Sequence, residues 1–212
     1  MKKIICLISS FAIMLGISIP ASATSISATT HPIPFETYYS VLQEEFLKKG
    51  VQYTVTEYDP NYIFTQEALD ETVAKIRSCD SVFTVTVTDE FEQSNMGRSM
   101  PVDYSISRQT DVYANDIFLP GEVHYVTHIW GVYDAQNNYV IEMYYENQKT
   151  GYSINVTGED LGLEVFYENP GGRICAGMDG TVTFEYTDPW TAIHQVFTQR
   201  VAWGTNYYPP YN

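Results

Sequence analysis

The chain is poor in positive charge, in cysteine and in long apolar runs, and each shortage removes a class of function. Lys and Arg number 11 against 26 Asp and Glu, a formal charge of −15. The acids are scattered rather than gathered into a tail. Nucleic-acid recognition draws on clustered Lys and Arg, and an acidic field repels phosphate backbones and anionic lipid. No nucleic-acid partner is therefore expected. One long uncharged run exists, Ile4 to Ile19, and no later stretch approaches the ~20 apolar residues of a bilayer span.

Familiar reaction signatures are missing as well. There is no G-x-S-x-G elbow, no H-E-x-x-H pair, no zinc-ribbon cysteine spacing, no EF-hand spacing and no Gly-rich phosphate loop. Neither a cofactor nor a metal is expected on these grounds.

What is there begins with an address. Lys2 and Lys3 precede the apolar run, Pro20 breaks it, and Ala21-Ser22-Ala23 offers the small residues a signal peptidase accepts. Residues 1–23 read as a signal peptide cleaved after Ala23. The protein is then secreted, extracellular or attached at the cell surface, with no membrane span after cleavage, and the short positive start suggests a bacterium. Loss of Lys2 and Lys3 moves the formal charge from −15 to −17. Cys79 and Cys175 are the cysteines that remain. Outside the cell such a pair is a candidate disulfide, with two buried thiols as the alternative.

Residues 24–34 have Ser/Thr/Pro linker chemistry and include His31. Residues 35–212 read as a single α+β domain. Phe35, Tyr38, Tyr39, Leu42 and Phe46 recur at helical spacing in 35–50, with Lys48, Lys49 and Gly50 as end signals. Residues 51–58 alternate as a strand. A second helix over 65–78 has Thr65 as N-cap and Leu69, Val73 and Ile76 on one face. From Ser81 the period changes to two: 82–88, 122–132, 138–145, 152–157, 161–167, 181–186 and 194–203 read as strands, 122–132 and 138–145 forming a hairpin. DAQNN, NQKTG, NPGG and MDG read as the turns between them. The expected fold is two N-terminal helices with an intervening strand, packed on a mainly antiparallel sheet of roughly seven to ten strands. That sheet is either sandwich-like or a single curved one.

In EVHYVTHIWGVYD, residues 122–134, the strand pattern puts Glu122, His124, Val126, His128 and Trp130 on one side. Positions four apart on a strand are ~13 Å apart, so His124 and His128 cannot share one metal along it. Cys175 ahead of His194 raises a Cys/His hydrolase as a rival reading, and a His/carboxylate site as another. Glu142, Glu164 and Glu185 lie in apolar strands and are the acids to test for a glycosidase pair.

Tyrosine is the abundant feature, with 18 in the chain beside three tryptophans. The adjacent pairs Tyr144-Tyr145 and Tyr207-Tyr208 must face both ways on a strand, which exposes one ring of each. Exposed Tyr and Trp make flat amphipathic platforms for sugars and peptides, and cross-strand aromatics also stabilise sheets without any ligand. The candidate binding residues are Trp130, Tyr144, Tyr145, Trp190 and Trp203. The sequence reads as a non-enzymatic extracellular domain that binds a carbohydrate, a cell-wall polymer or a protein. An extracellular hydrolase and a structural surface protein are the alternatives.

Overall fold

The computed structural model describes residues 31–93, 101–189 and 191–208, the side chains of 91–93 excepted. The expected signal segment with Ala23, and Trp190, lie outside the described residues. The elements run α1 Phe35–Lys48, β1 Val51–Glu57, α2 Gln66–Ser78, β2 Phe83–Gln93, β3 Pro101–Ala114 and β4 Glu122–Asp134. They continue as β5 Tyr139–Ile154, β6 Val156–Glu168, β7 Arg173–Thr187 and β8 His194–Tyr207. The architecture is mostly antiparallel sheet with two helices, α+β as expected. The strands form two four-stranded sheets, a first in the order β1-β8-β7-β6 and a second in the order β2-β3-β4-β5.

The N-terminal helices form where the spacing predicts them. Thr65 caps α2 by accepting a hydrogen bond from the Ala68 amide at 3.2 Å. The segment just before α1 is not a free tether at its end. The Ile33 amide donates to the Phe64 carbonyl at 2.9 Å, and the His31 ring hydrogen-bonds Glu67 at 2.7 Å. The helices are joined through Glu45, whose almost fully covered carboxylate meets Arg77 at 2.8 Å and Lys48 at 2.9 Å. Hydrogen bonds from Arg77 and then Lys48 hold that carboxyl down at about 2.

The helices and both sheets meet in one apolar cluster. Phe197 of β8, wholly buried, lies 5.3 Å from Phe46 of α1, 5.2 Å from Tyr53 of β1 and 6.4 Å from Phe83 of β2, between ring centroids. Leu69 and Ile76 of α2 and Val112, Val123 and Tyr125 of the second sheet belong to the same cluster. The inner face of the first sheet is thus shared between the helix pair and the second sheet. A separate cluster, with Ile106, Ile129, Val140 and Ile174, fills the other end.

A polar belt lies between the two. On β3 and β4 the inward positions between the clusters are Thr110, Arg108 and Thr127, all buried. Arg108 makes a two-pronged pair with Asp89, each contact 2.6 Å, and its guanidinium sits 4.4 Å from the centre of the Trp203 ring. Tyr207 donates to the same Asp89 at 3.2 Å. Trp203 packs against both apolar clusters and so spans the belt.

Several expectations change here. Strand β3 was not expected, because Arg108 and Thr110 take inward positions and break the apolar alternation of PVDYSISRQTDVYA. NQKTG lies within β5 and MDG within β7, so neither is a turn. Gly180 serves close approach instead, since a Cβ there would sit 2.0 Å from the Asp160 carbonyl oxygen. YSINVT is not one strand either. The chain breaks at Asn155, at φ 58°, and passes there from the second sheet to the first. Among the described residues no helix is long and apolar enough to cross a membrane.

Two outcomes follow from this packing. Phe197→Ala should cost about 3–5 kcal/mol of unfolding free energy in urea titration, against less than about 0.5 for the exposed Leu47→Ala. The Glu45 carboxyl sits below its ordinary 4.5. Its contribution is therefore complete above that value and lost as pH falls toward 2. The melting temperature should drop between about pH 5 and pH 2, and Glu45→Gln should flatten part of that drop.

Candidate functional site

Strand β4 alternates without a fault. Val123, Tyr125, Thr127, Ile129, Gly131 and Tyr133 are buried, and Glu122, His124, Val126, His128 and Trp130 face outward as expected. On the outward side of the second sheet two of the expected binding residues, Trp130 and Tyr144, stand with His124 and His128. The antiparallel register builds this face in rungs. One rung reads Glu90, Ser107, His128, Glu146 across β2 to β5, and the next reads Ser105, Trp130, Tyr144 across β3 to β5.

Trp130 and Tyr144 stack there, with ring centroids 6.1 Å apart and planes 28° from parallel. They are 38% and 53% exposed, so both rings offer area to a ligand. Their neighbour Gly131 lets the strands close up, because a Cβ would fall 2.0 Å from the Glu142 carbonyl oxygen. Next to the stack, His128 Nδ1 is hydrogen-bonded to Ser107 Oγ at 2.9 Å. A hollow of about 230 Å³ opens over this pair, lined also by Glu90 and Gln109. His124 is held differently. Its Nδ1 lies 2.8 Å from Asp111, whose two oxygens also accept from Gln109 at 2.9 and 3.0 Å. Each histidine therefore has its own partner on β3.

The remaining expected residues do not join this face. Tyr145 is 47% exposed, but it pairs with buried Ile129 and points to the inner side of the edge strand β5. Both rings of the Tyr144-Tyr145 pair are thus exposed, whereas Tyr207 is buried and Tyr208 exposed, one ring of each kind. Trp203 is not a platform. It faces the interior under Arg108 and packs against both clusters.

Of the cysteine readings, the disulfide and the Cys/His site are corrected and the two buried thiols hold. Cys79 and Cys175 are free, buried thiols. Cys79 ends α2 in the helix-side cluster, its Sγ 3.1 Å from the Ile76 carbonyl oxygen. Cys175 lies near the start of β7, nine residues before the Phe184 that packs on Phe83 in that same cluster. Cys175 also stands on the outward side of β7, between the inward-facing Ile174 and Ala176, whereas Cys79 belongs to the interior cluster. The Cys/His hydrolase fails on register. Cys175 faces Asn206 while His194 faces Thr187, twelve residues further along β7, which is ~40 Å.

The glycosidase acids fall apart too. Glu142 is on the outward face of the second sheet. Glu164 and Glu185 are on that of the first, at the levels of Gly177 and Val196. The eight residues from Gly177 to Glu185 span ~26 Å of β7, far beyond a catalytic carboxylate pair. Among the described residues no three His, Cys, Asp or Glu groups stand together as metal ligands.

The first sheet has its own outward feature, a shallow trough of about 660 Å³. Gly162, Gly177 and Gly204 lie along it, with Phe166, Glu164 and Cys175 on its lining. It contains no histidine. No protein-family model matches the chain, and no curated protein or solved structure is significantly similar to it.

The free state of the thiols is directly checkable. In guanidinium without reductant, a thiol reagent should modify Cys79 and Cys175 fully, as mapped by peptide mass. In native buffer both should react slowly. A need for reductant would contradict the geometry.

Proposed function

We propose that the protein is a secreted, non-enzymatic domain that binds a carbohydrate or cell-wall polymer across the outward face of its second sheet. One observation carries the reading: Trp130 and Tyr144 stack side by side beside a rung of hydroxyl, imidazole and carboxylate groups. Sugars need both kinds of contact. Their C–H faces pack on flat aromatic rings, and their hydroxyls exchange hydrogen bonds with side chains already fixed in place. The sheet supplies that fixity, because each outward side chain stands on a strand hydrogen-bonded to its neighbours. Secretion is part of the proposal and rests on Lys2, Lys3, the apolar run and Ala21-Ser22-Ala23.

A second reading has its own support. Ser107, His128 and Glu90 share one hollow, which suits a hydrolase with a His/carboxylate site better than either cysteine does. A protein partner at the same face is the third.

Incubation of the purified protein with insoluble polysaccharides and purified cell walls separates these readings. Binding without release should put the protein in the pellet and no sugar or peptide in the supernatant. Trp130→Ala and Tyr144→Ala should each weaken binding by about 1–1.5 kcal/mol, roughly tenfold, while Phe166→Ala on the opposite face leaves it unchanged. Release of sugar or peptide that His128→Ala abolishes would replace the binding reading with the hydrolase. Failure to pellet with any polymer would reject the glycan reading.

A further inference from the structure

We infer that the polymer bound on this face is cationic, a glycan whose hexosamine units carry free amines. The inference rests on the binding reading above and adds the chemical class of the ligand. Its ground is the distribution of charge between the two sides of the second sheet.

Strands β2 to β5 contain two cations, Arg108 and Lys149. Neither serves the outward face. Arg108 points between the sheets and pairs with Asp89, and Lys149 pairs across the seam with Glu159 of β6. Strand alternation sends the acids the other way. Glu90, Asp103, Asp111, Glu122, Glu142 and Glu146 all take outward positions. Among the described residues of that face there is no Lys or Arg. Even with His124 and His128 both protonated, the carboxylates outnumber the positive groups.

The position of the acids matters more than their number. Glu90 and Glu146 flank the Ser107–His128 pair on the rung next to Trp130 and Tyr144. Two residues along a strand is ~6.6 Å, so a ring stacked on the aromatics lies beside Glu146 on β5. Glu90, two strands from Trp130 at ~4.8 Å each, stands ~12 Å away and can meet only a neighbouring unit of the same polymer. A hexosamine ammonium can then meet a carboxylate while its ring packs on Trp130, and the indole face itself attracts a cation. A uronic acid or phosphodiester polymer would be repelled by the same field, and a neutral glucan would gain nothing from it.

The test compares two hexosamine oligomers of equal length, one fully N-acetylated and one de-N-acetylated, by calorimetry at about pH 5.5, above the ordinary carboxylate range. The de-N-acetylated oligomer should bind at least tenfold more tightly. That preference should collapse from about 0.1 M to 1 M salt, as the screening length falls from ~10 to ~3 Å. The double variant Glu90→Gln/Glu146→Gln, checked for folding by near-UV circular dichroism, should bind both oligomers alike. Trp130→Ala should weaken both. Equal or tighter binding of the acetylated oligomer overturns the cationic inference and leaves the glycan reading intact. Polylysine binding as tightly as the amine glycan, untouched by Trp130→Ala, also overturns it, as plain charge attraction. Binding to neither oligomer nor to any other glycan removes both.

Discussion

The burial of Phe197 is the contact on which the remaining architecture hangs. Its ring touches a helix, the strand beside it and the facing sheet, so three structural layers are fixed relative to one another at one side chain. Once that residue points inward, alternation dictates the rest of β8, and the register with β7 and β1 carries the phase across the first sheet. Phe83, packed on Phe184, transmits the same phase to the second sheet. The identity of the outward residues is therefore a consequence of interior packing. Trp130 faces solvent because Ile129 and Gly131 face the core.

The interior is not uniformly apolar, and the exception has a cost and a use. Taking Arg108 out of water is expensive unless the charge is met. Asp89 of β2 and the Trp203 and Tyr207 rings of β8 meet it from two strands, one in each sheet. The hydrogen-bonded carboxylate is driven below its usual range by that guanidinium. Such an arrangement favours one alignment of the sheets, since a slip of one residue would strand the charge. The seam on the other side is fastened by different means. Asn169, in the turn after β6, exchanges two hydrogen bonds of 3.0 Å with the backbone of Val140 on β5.

How much of this was legible in the sequence depended on whether local pattern and burial agreed. The helices were legible because Leu42, Phe46, Leu69 and Ile76 are both periodic and buried, and because Thr65 is a true cap. The face of β4 was legible for the same reason. Strand β3 was not, since its inward Arg108 is satisfied by Asp89, a residue that no local signal connects to it. Ser107 and Gln109 of the candidate face went unread with it. Glycine misled in two places, where NQKTG and MDG suggested turns but Gly151 and Gly180 lie inside strands. Tyrosine content was ambiguous by nature. Tyr53, Tyr104, Tyr125, Tyr133 and Tyr207 are buried, and Tyr144 is not. Composition alone cannot sort them.

The pairing of β1 with β8 ties together distant parts of the chain: Tyr53 and Gln195, which share a hydrogen bond, are 142 positions apart. Long-range pairing of this kind raises contact order and slows folding. During synthesis, β1 has no strand partner until the fourteen-residue β8 has emerged. Until then it and β7 are open edges, exposed to other chains. The first sheet completes itself only once β8 is made, so a chain truncated before β8 is a candidate for aggregation rather than a smaller version of the fold.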